Sequence, residues 1–161
     1  MGSLGRVILG IVVVILVSSA ALIGACADSP PSPTAPGPDT SPTLQATPGG
    51  DDYVEVVYFH RTRRCYSCQY AGDMTQQTVE TYFADELASG MLVFRTLDVQ
   101  EKANAEIVKK YGASGSSLYI NMVTDGVDHI EHIVGIWYKI GNEQAFIDVL
   151  RPEIAQALGS I

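Results

Sequence analysis

A chain of 161 residues is the length of one ordinary domain, and its formal net charge of −8 argues against nucleic acid as a partner. On so acidic a protein, Arg61, Arg63 and Arg64 within four positions stand out, although such a cluster also serves simply to solubilise a loop. Of the three cysteines, Cys65 and Cys68 form the obvious pair, and Cys26 needs its own explanation.

Residues 1–25 open with Arg6, continue with the apolar run Val7 to Val17, and then reach Ser18, Ser19 and the small-residue stretch Ala20 to Ala25. A short basic start, an apolar core and small residues describe an export signal. The stretch Val7 to Ala25 is also about long enough to span a bilayer, so an uncleaved anchor is the other reading. Met1-Gly2 does not make a myristoylation signal, because Arg6 stands where that motif wants Ser or Thr. Ile23-Gly24-Ala25-Cys26 resembles the bacterial lipoprotein box, and the resemblance implies that Cys26 receives lipid after cleavage. Both readings place the protein in the cell envelope, held to the membrane through its N-terminus, with the rest of the chain on the extracytoplasmic side.

Residues 26–50 form the next section. From Asp28 to Gly50 the chain is Ser, Thr, Pro and Gly with almost nothing apolar, and seven of the eight prolines lie there. Such a stretch buries too little surface to offset its ordering entropy, so a disordered tether is expected, reaching at most ~3.3 Å per residue.

Residues 51–161 carry the periodic apolar patterning of a folded domain. Val54 to Phe59 reads as a strand buried on both faces. A helical segment follows Cys68 to about Ala88, with Val79, Phe83 and Leu87 at four-residue spacing, a local weakness at Gly72 and a stop at Ser89-Gly90. Met91 to Val99 is a second strand, which makes a βαβ unit with parallel strands. Asn104 to Tyr111 is a short helix stopped by Gly112, and Ser117 to Thr124 is a third strand. Thr124-Asp125-Gly126 signals a hairpin into a fourth strand, Val127 to Val134. Asn142 to about Leu158 is a last helix with Phe146, Val149, Leu150, Ile154 and Leu158 on one stripe, and Pro152 is expected to kink or split it. The order is βαβ–α–ββ–α, an α/β domain with a four-stranded mixed sheet.

Cys65 and Cys68 fall where the first strand hands over to its helix. There the helix macrodipole and free backbone N–H groups favour a thiolate, and Arg61, Arg63 and Arg64 add positive charge. Redox chemistry needs an accessible nucleophile and a second thiol to resolve the mixed disulfide, roles that fall to Cys65 and Cys68 respectively. A structural disulfide is the plainer alternative, but so short a loop removes little unfolded-state entropy. Cys65, Cys68 and His60 also number three soft-metal ligands, yet no second C-x-x-C completes a site, so neither metal nor cofactor is expected. His129 and His132, three apart on the fourth strand, should point to opposite faces.

The element order with C-x-x-C between the first strand and its helix resembles the thioredoxin-like fold, as does Tyr111-Gly112-Ala113-Ser114-Gly115 before the third strand. Val57-Tyr58-Phe59-His60-Arg61 running into Arg64-Cys65 and Cys68 is similar to a bacterial family of nitrophenyl-compound nitroreductase subunits, ArsF type. Glu80-Thr81-Tyr82-Phe83, Leu92-Val93-Phe94-Arg95, Gly135-Ile136-Trp137 and Ala145-Phe146 extend that likeness across the domain. The resemblance implies a redox or detoxification setting and a protein thiol or disulfide partner, without naming a reaction. Departures accompany it. Ser116 and Ser117 stand where thioredoxins have a cis-proline facing the disulfide, and Phe59 stands where they bury an acid. These departures favour the alternative of a non-catalytic binding subunit.

Overall fold

The computed structural model describes residues 47–161. The export signal or anchor, the lipidation site at Cys26 and most of the expected tether lie outside the described residues. Among the described residues, no helix is long and apolar enough to cross a membrane.

Strand β1 (Tyr53–His60) is followed by helix α1 (Tyr66–Tyr82), a short helix α2 (Ala84–Ser89) and strand β2 (Leu92–Asp98). A 3₁₀ turn (Lys102–Asn104) leads into α3 (Ala105–Tyr111), and then come strands β3 (Ser117–Thr124) and β4 (Val127–His132). A second 3₁₀ turn (Gly135–Lys139) precedes α4 (Glu143–Leu158). The four strands form one mixed sheet in the order β2-β1-β3-β4. β1 runs parallel to β2 and antiparallel to β3, and β3 and β4 form an antiparallel hairpin.

As the central strand of this arrangement, β1 is buried on both faces, in keeping with its nearly continuous β-branched and aromatic run. Val54, Val56 and Tyr58 join Leu92, Phe94, Leu118 and Ile120 in the larger core, with Ala71, Met74 and Val79 of α1 and Phe146, Leu150 and Ile154 of α4. Val57 and Phe59 face the other way, into a smaller cluster with Leu97, Tyr111 and Tyr119. The hairpin turns at Asp125 (φ 51°) and Gly126 (φ 73°), two consecutive left-handed residues as a two-residue primed turn requires.

Two expectations need correction. The long helical segment is interrupted at Phe83, whose backbone (φ −134°, ψ 32°) leaves the helix while its side chain stays in the core. Neither Gly nor Pro marks that break, so propensity gives no sign of it. Pro152, in turn, does not split α4, which continues through it to Leu158. The proline removes a donor toward the Asp148 carbonyl, and both residues lie on the exposed side of the helix, so the carbonyl is not left without a partner in the core.

Candidate functional site

The sequence Arg61 to Arg64 links the end of β1 to α1, and Cys65 is the N-cap of that helix. Its backbone is extended (φ −81°, ψ 168°), and its sulfur accepts a hydrogen bond from the Cys68 backbone N–H at 3.3 Å. A cap sulfur is a natural acceptor there, because the first N–H groups of a helix have no intrahelical partner. No acidic residue occupies the first turn to oppose the positive end of the dipole. Cys65 and Cys68 form a disulfide, with their Cα atoms 5.1 Å apart. Cys65 is exposed and Cys68 half-buried, so an incoming sulfur reaches Cys65 first.

Beneath the pair lies Tyr58, fully buried on β1, whose hydroxyl donates to the Cys68 carbonyl at 2.5 Å. Burial pushes its phenol up to about 12, against smaller opposing effects of the Ser116 hydroxyl and the Arg64 guanidinium. Tyr58 therefore stays protonated at neutral pH and acts as a donor, not as a base. Ser116 acts on this phenol, partly offsetting the effect of burial, while the buried Ser117 turns its hydroxyl to the Gly115 carbonyl at 3.1 Å. Phe59 points to the opposite face, where its ring meets Tyr111 at 5.5 Å and Tyr119 at 5.8 Å.

Two of the three arginines are held by neutral groups. Arg61 lies against Gly115 and reaches the Ser114 carbonyl at 3.4 Å. Nη2 of Arg64 lies 2.5 Å from Nε2 of His60, whose Nδ1 is 3.0 Å from the Arg61 carbonyl. One tautomer satisfies both contacts: Nδ1–H donates to the carbonyl and Nε2 accepts from the guanidinium. Burial, aided by the Arg64 charge, holds His60 below its ordinary pKa, consistent with that neutral ring. Arg63 is exposed.

Among the described residues, no three His, Cys, Asp or Glu side chains converge as metal ligands, so His60, Cys65 and Cys68 do not make a three-ligand set. His132 stacks on Tyr119 at 4.6 Å between centroids, while His129 lines a cavity with Ile120 and Met122, so the two do face opposite sides of the sheet.

Two contributors to the site carry no motif. Tyr58 reads in the sequence as one more aromatic of a buried strand. Gly72 reads as a weak point of α1, yet a Cβ there would lie 2.9 Å from Cε1 of Tyr58, so glycine lets the helix seat on that ring. The strand pattern, with a large residue two before the end of β1 facing α1, was the available signal for Tyr58.

No family model matches the chain, and no curated protein matches it. Among solved structures, one described as "Structure of a malarial protein" aligns at a TM-score of 0.37 and 13% identity, covering 62% of this chain and 96% of that chain. A likeness at that level carries no argument about fold or function.

Proposed function

We propose that the chain is a membrane-tethered, extracytoplasmic thioredoxin-like protein whose Cys65–Cys68 pair exchanges thiols and disulfides with a partner, or passes electrons to it, in a redox or detoxification system. The observation that carries the reading is Cys65, an exposed N-cap sulfur already paired with a cysteine one turn on. The strand order, the single parallel pair and the antiparallel hairpin support the thioredoxin-like part of it. The segment from Val57 through Cys68 supports kinship with the nitroreductase-subunit family, and Ile23 to Cys26 supports the lipid tether.

In the reducing direction the Cys65 thiolate attacks one sulfur of a partner disulfide, forming a mixed disulfide and releasing one partner thiolate. Cys68, deprotonated, then attacks the Cys65 sulfur and releases the second partner thiolate. Two electrons and two protons leave the protein's dithiol, and the partner's disulfide becomes two thiols. Stabilising the Cys65 thiolate favours the reduced protein, because the disulfide carries no charge. The expected potential is therefore above that of thioredoxins, near about −200 mV.

Equilibration in a series of glutathione buffers, read by alkylation and mass, measures it. A potential below about −270 mV would instead favour a structural disulfide in a non-catalytic binding subunit. Ser116 and Ser117 in place of a cis-proline are observations on that side, as is the position beneath the pair, which was expected to fall on Phe59 but is held by the non-acidic Tyr58.

A further inference from the structure

We infer that Arg61, Arg63 and Arg64 form a docking collar for a partner whose reacting cysteine is flanked by carboxylates. This deepens the redox reading above and rests on it. Among the described residues the ion pairs are Arg95–Glu55 and Lys110–Asp128, and none of the three collar arginines takes part in one. Arg61 and Arg64 are instead oriented by the Ser114 carbonyl and the neutral His60 ring, which aim the guanidinium without pairing it to a carboxylate. Asp98, whose pKa the Arg64 charge helps to depress, directs its two oxygens to the Thr62 hydroxyl at 2.6 Å and the Gln100 N–H at 2.8 Å and forms no ion pair with the collar. Arg63 extends into solvent.

A guanidinium held in place presents a planar fork that matches a carboxylate, and its geometry costs less to fix on binding than that of a free side chain. The rest of the molecule strengthens the selection. With a net charge of −8, the chain as a whole disfavours an acidic partner, and the collar sets three cations within four positions beside Cys65. The repulsion therefore orients the partner, bringing it in with its sulfur toward Cys65. Three guanidiniums spread over Arg61 to Arg64 suit several carboxylates along a chain, so the occupant is an acidic segment of a protein, and a small anionic disulfide is the other outcome of the test.

The test uses the full chain with Cys26→Ser, which leaves Cys65 and Cys68 as its only thiols. The reduced protein is mixed with oxidised glutathione (anionic), bis(2-hydroxyethyl) disulfide (neutral) or cystamine (cationic), and quenched samples are read by mass. Paired disulfide peptides, with cysteine flanked by Glu or by Lys, supply the polypeptide arm. Arg63→Glu is the main variant, because Arg63 is exposed; Arg61→Gln is the second. An effect through the Cys65 thiolate moves all rates together, whereas docking moves the anionic and cationic probes in opposite directions.

The expected result is that the anionic-to-cationic rate ratio falls ~10-fold in Arg63→Glu, and that molar salt compresses it in the unsubstituted protein. A preference stronger for the Glu-flanked peptide than for glutathione supports the polypeptide occupant, and an equal preference for both overturns it. Exchange with all probes at a ratio that neither variant nor salt alters overturns the inference and leaves the redox reading standing. No exchange with any probe, the neutral one included, overturns both.

Discussion

A Cβ added at Gly72 would lie 2.9 Å from the Tyr58 ring, which is itself fully buried and has nowhere to move. Alanine gains about 1 kcal/mol over glycine in a helix interior, but overpacking a close-fitted core costs about 1–3 kcal/mol. Gly72→Ala should therefore lower stability, measured as a lower urea midpoint, even though it improves helix propensity. Tyr58→Phe keeps the ring and removes the hydroxyl, so it should cost about 1 kcal/mol for the lost bond to the Cys68 carbonyl and leave the Gly72→Ala penalty in place. His60 supplies a separate test at the same scale. Its pKa is lowered in the fold from 6.5, chiefly by burial, so the unfolded chain binds the proton more readily. Stability should be complete above that ordinary value and decline as pH falls below it. Asp98 and Asp128 are also depressed, Asp98 by its hydrogen bonds from Thr62 and Gln100 against the effect of burial, and Asp128 by Lys110 and then Asn121. Their contributions fade only as pH falls through the ordinary carboxylate value of 3.8. His60→Asn should thus flatten the dependence of unfolding free energy just below pH 6.5 and leave the Asp128 part of the acid limb in place, while the Asp98 part shrinks because His60 helps to depress it.

Helix α4 carries its proline on the exposed side, at the tenth of its sixteen residues, without breaking. Pro152→Ala restores an N–H to the Asp148 carbonyl and removes a steric conflict with it. Proline costs up to about 3 kcal/mol against alanine within a helix, less about 0.4–1 kcal/mol that it contributes by restricting the unfolded chain. Since this helix already accommodates the ring, a gain of about 1–2 kcal/mol is expected in chemical denaturation, and a loss would mean that α4 depends on its present course. The elements that the sequence made legible are those with strong local chemistry. Asp125-Gly126 specifies its turn, Gly90 and Gly112 end their helices in left-handed conformations, and Asn142 caps α4 by accepting from the Ala145 N–H. What stayed hidden depends on tertiary neighbours. Phe83 leaves the helix to keep its ring in the core, and no neighbouring residue announces it. Glu55, set in an apolar strand, is 3% exposed because Tyr111 donates to it at 2.5 Å and Arg95 lies 2.8 Å away, partners that reach it from α3 and β2. In the site, C-x-x-C and its place at a helix start were visible, whereas the Arg64–His60 and Tyr58–Cys68 contacts required the fold.

At the scale of the whole molecule, the apolar patterning and the composition divide the chain at about the same place. Among the described residues, both core clusters draw on positions from Val54 onward. Gly49 adds a backbone bond to the Gly90 carbonyl at 3.2 Å, so the folded unit reaches a little upstream of the first strand. A chain beginning at Thr47 should then unfold in one cooperative transition, with circular dichroism and fluorescence coinciding; separate transitions would mean that the N-terminal third supports the fold. The same truncation bears on location. If Cys26 is lipidated, the mature protein starts there and partitions into detergent, the Thr47 chain is released, and Cys26→Ser accumulates as a heavier unprocessed precursor. If Val7 to Ala25 is instead an uncleaved anchor, Cys26→Ser changes the mass only by the exchange of sulfur for oxygen and leaves partitioning as it was, because the apolar segment remains in the bilayer whatever stands at position 26. Mass spectrometry of membrane-extracted protein, with and without Cys26→Ser, separates the two, and normal processing of the variant would rule out the lipid anchor.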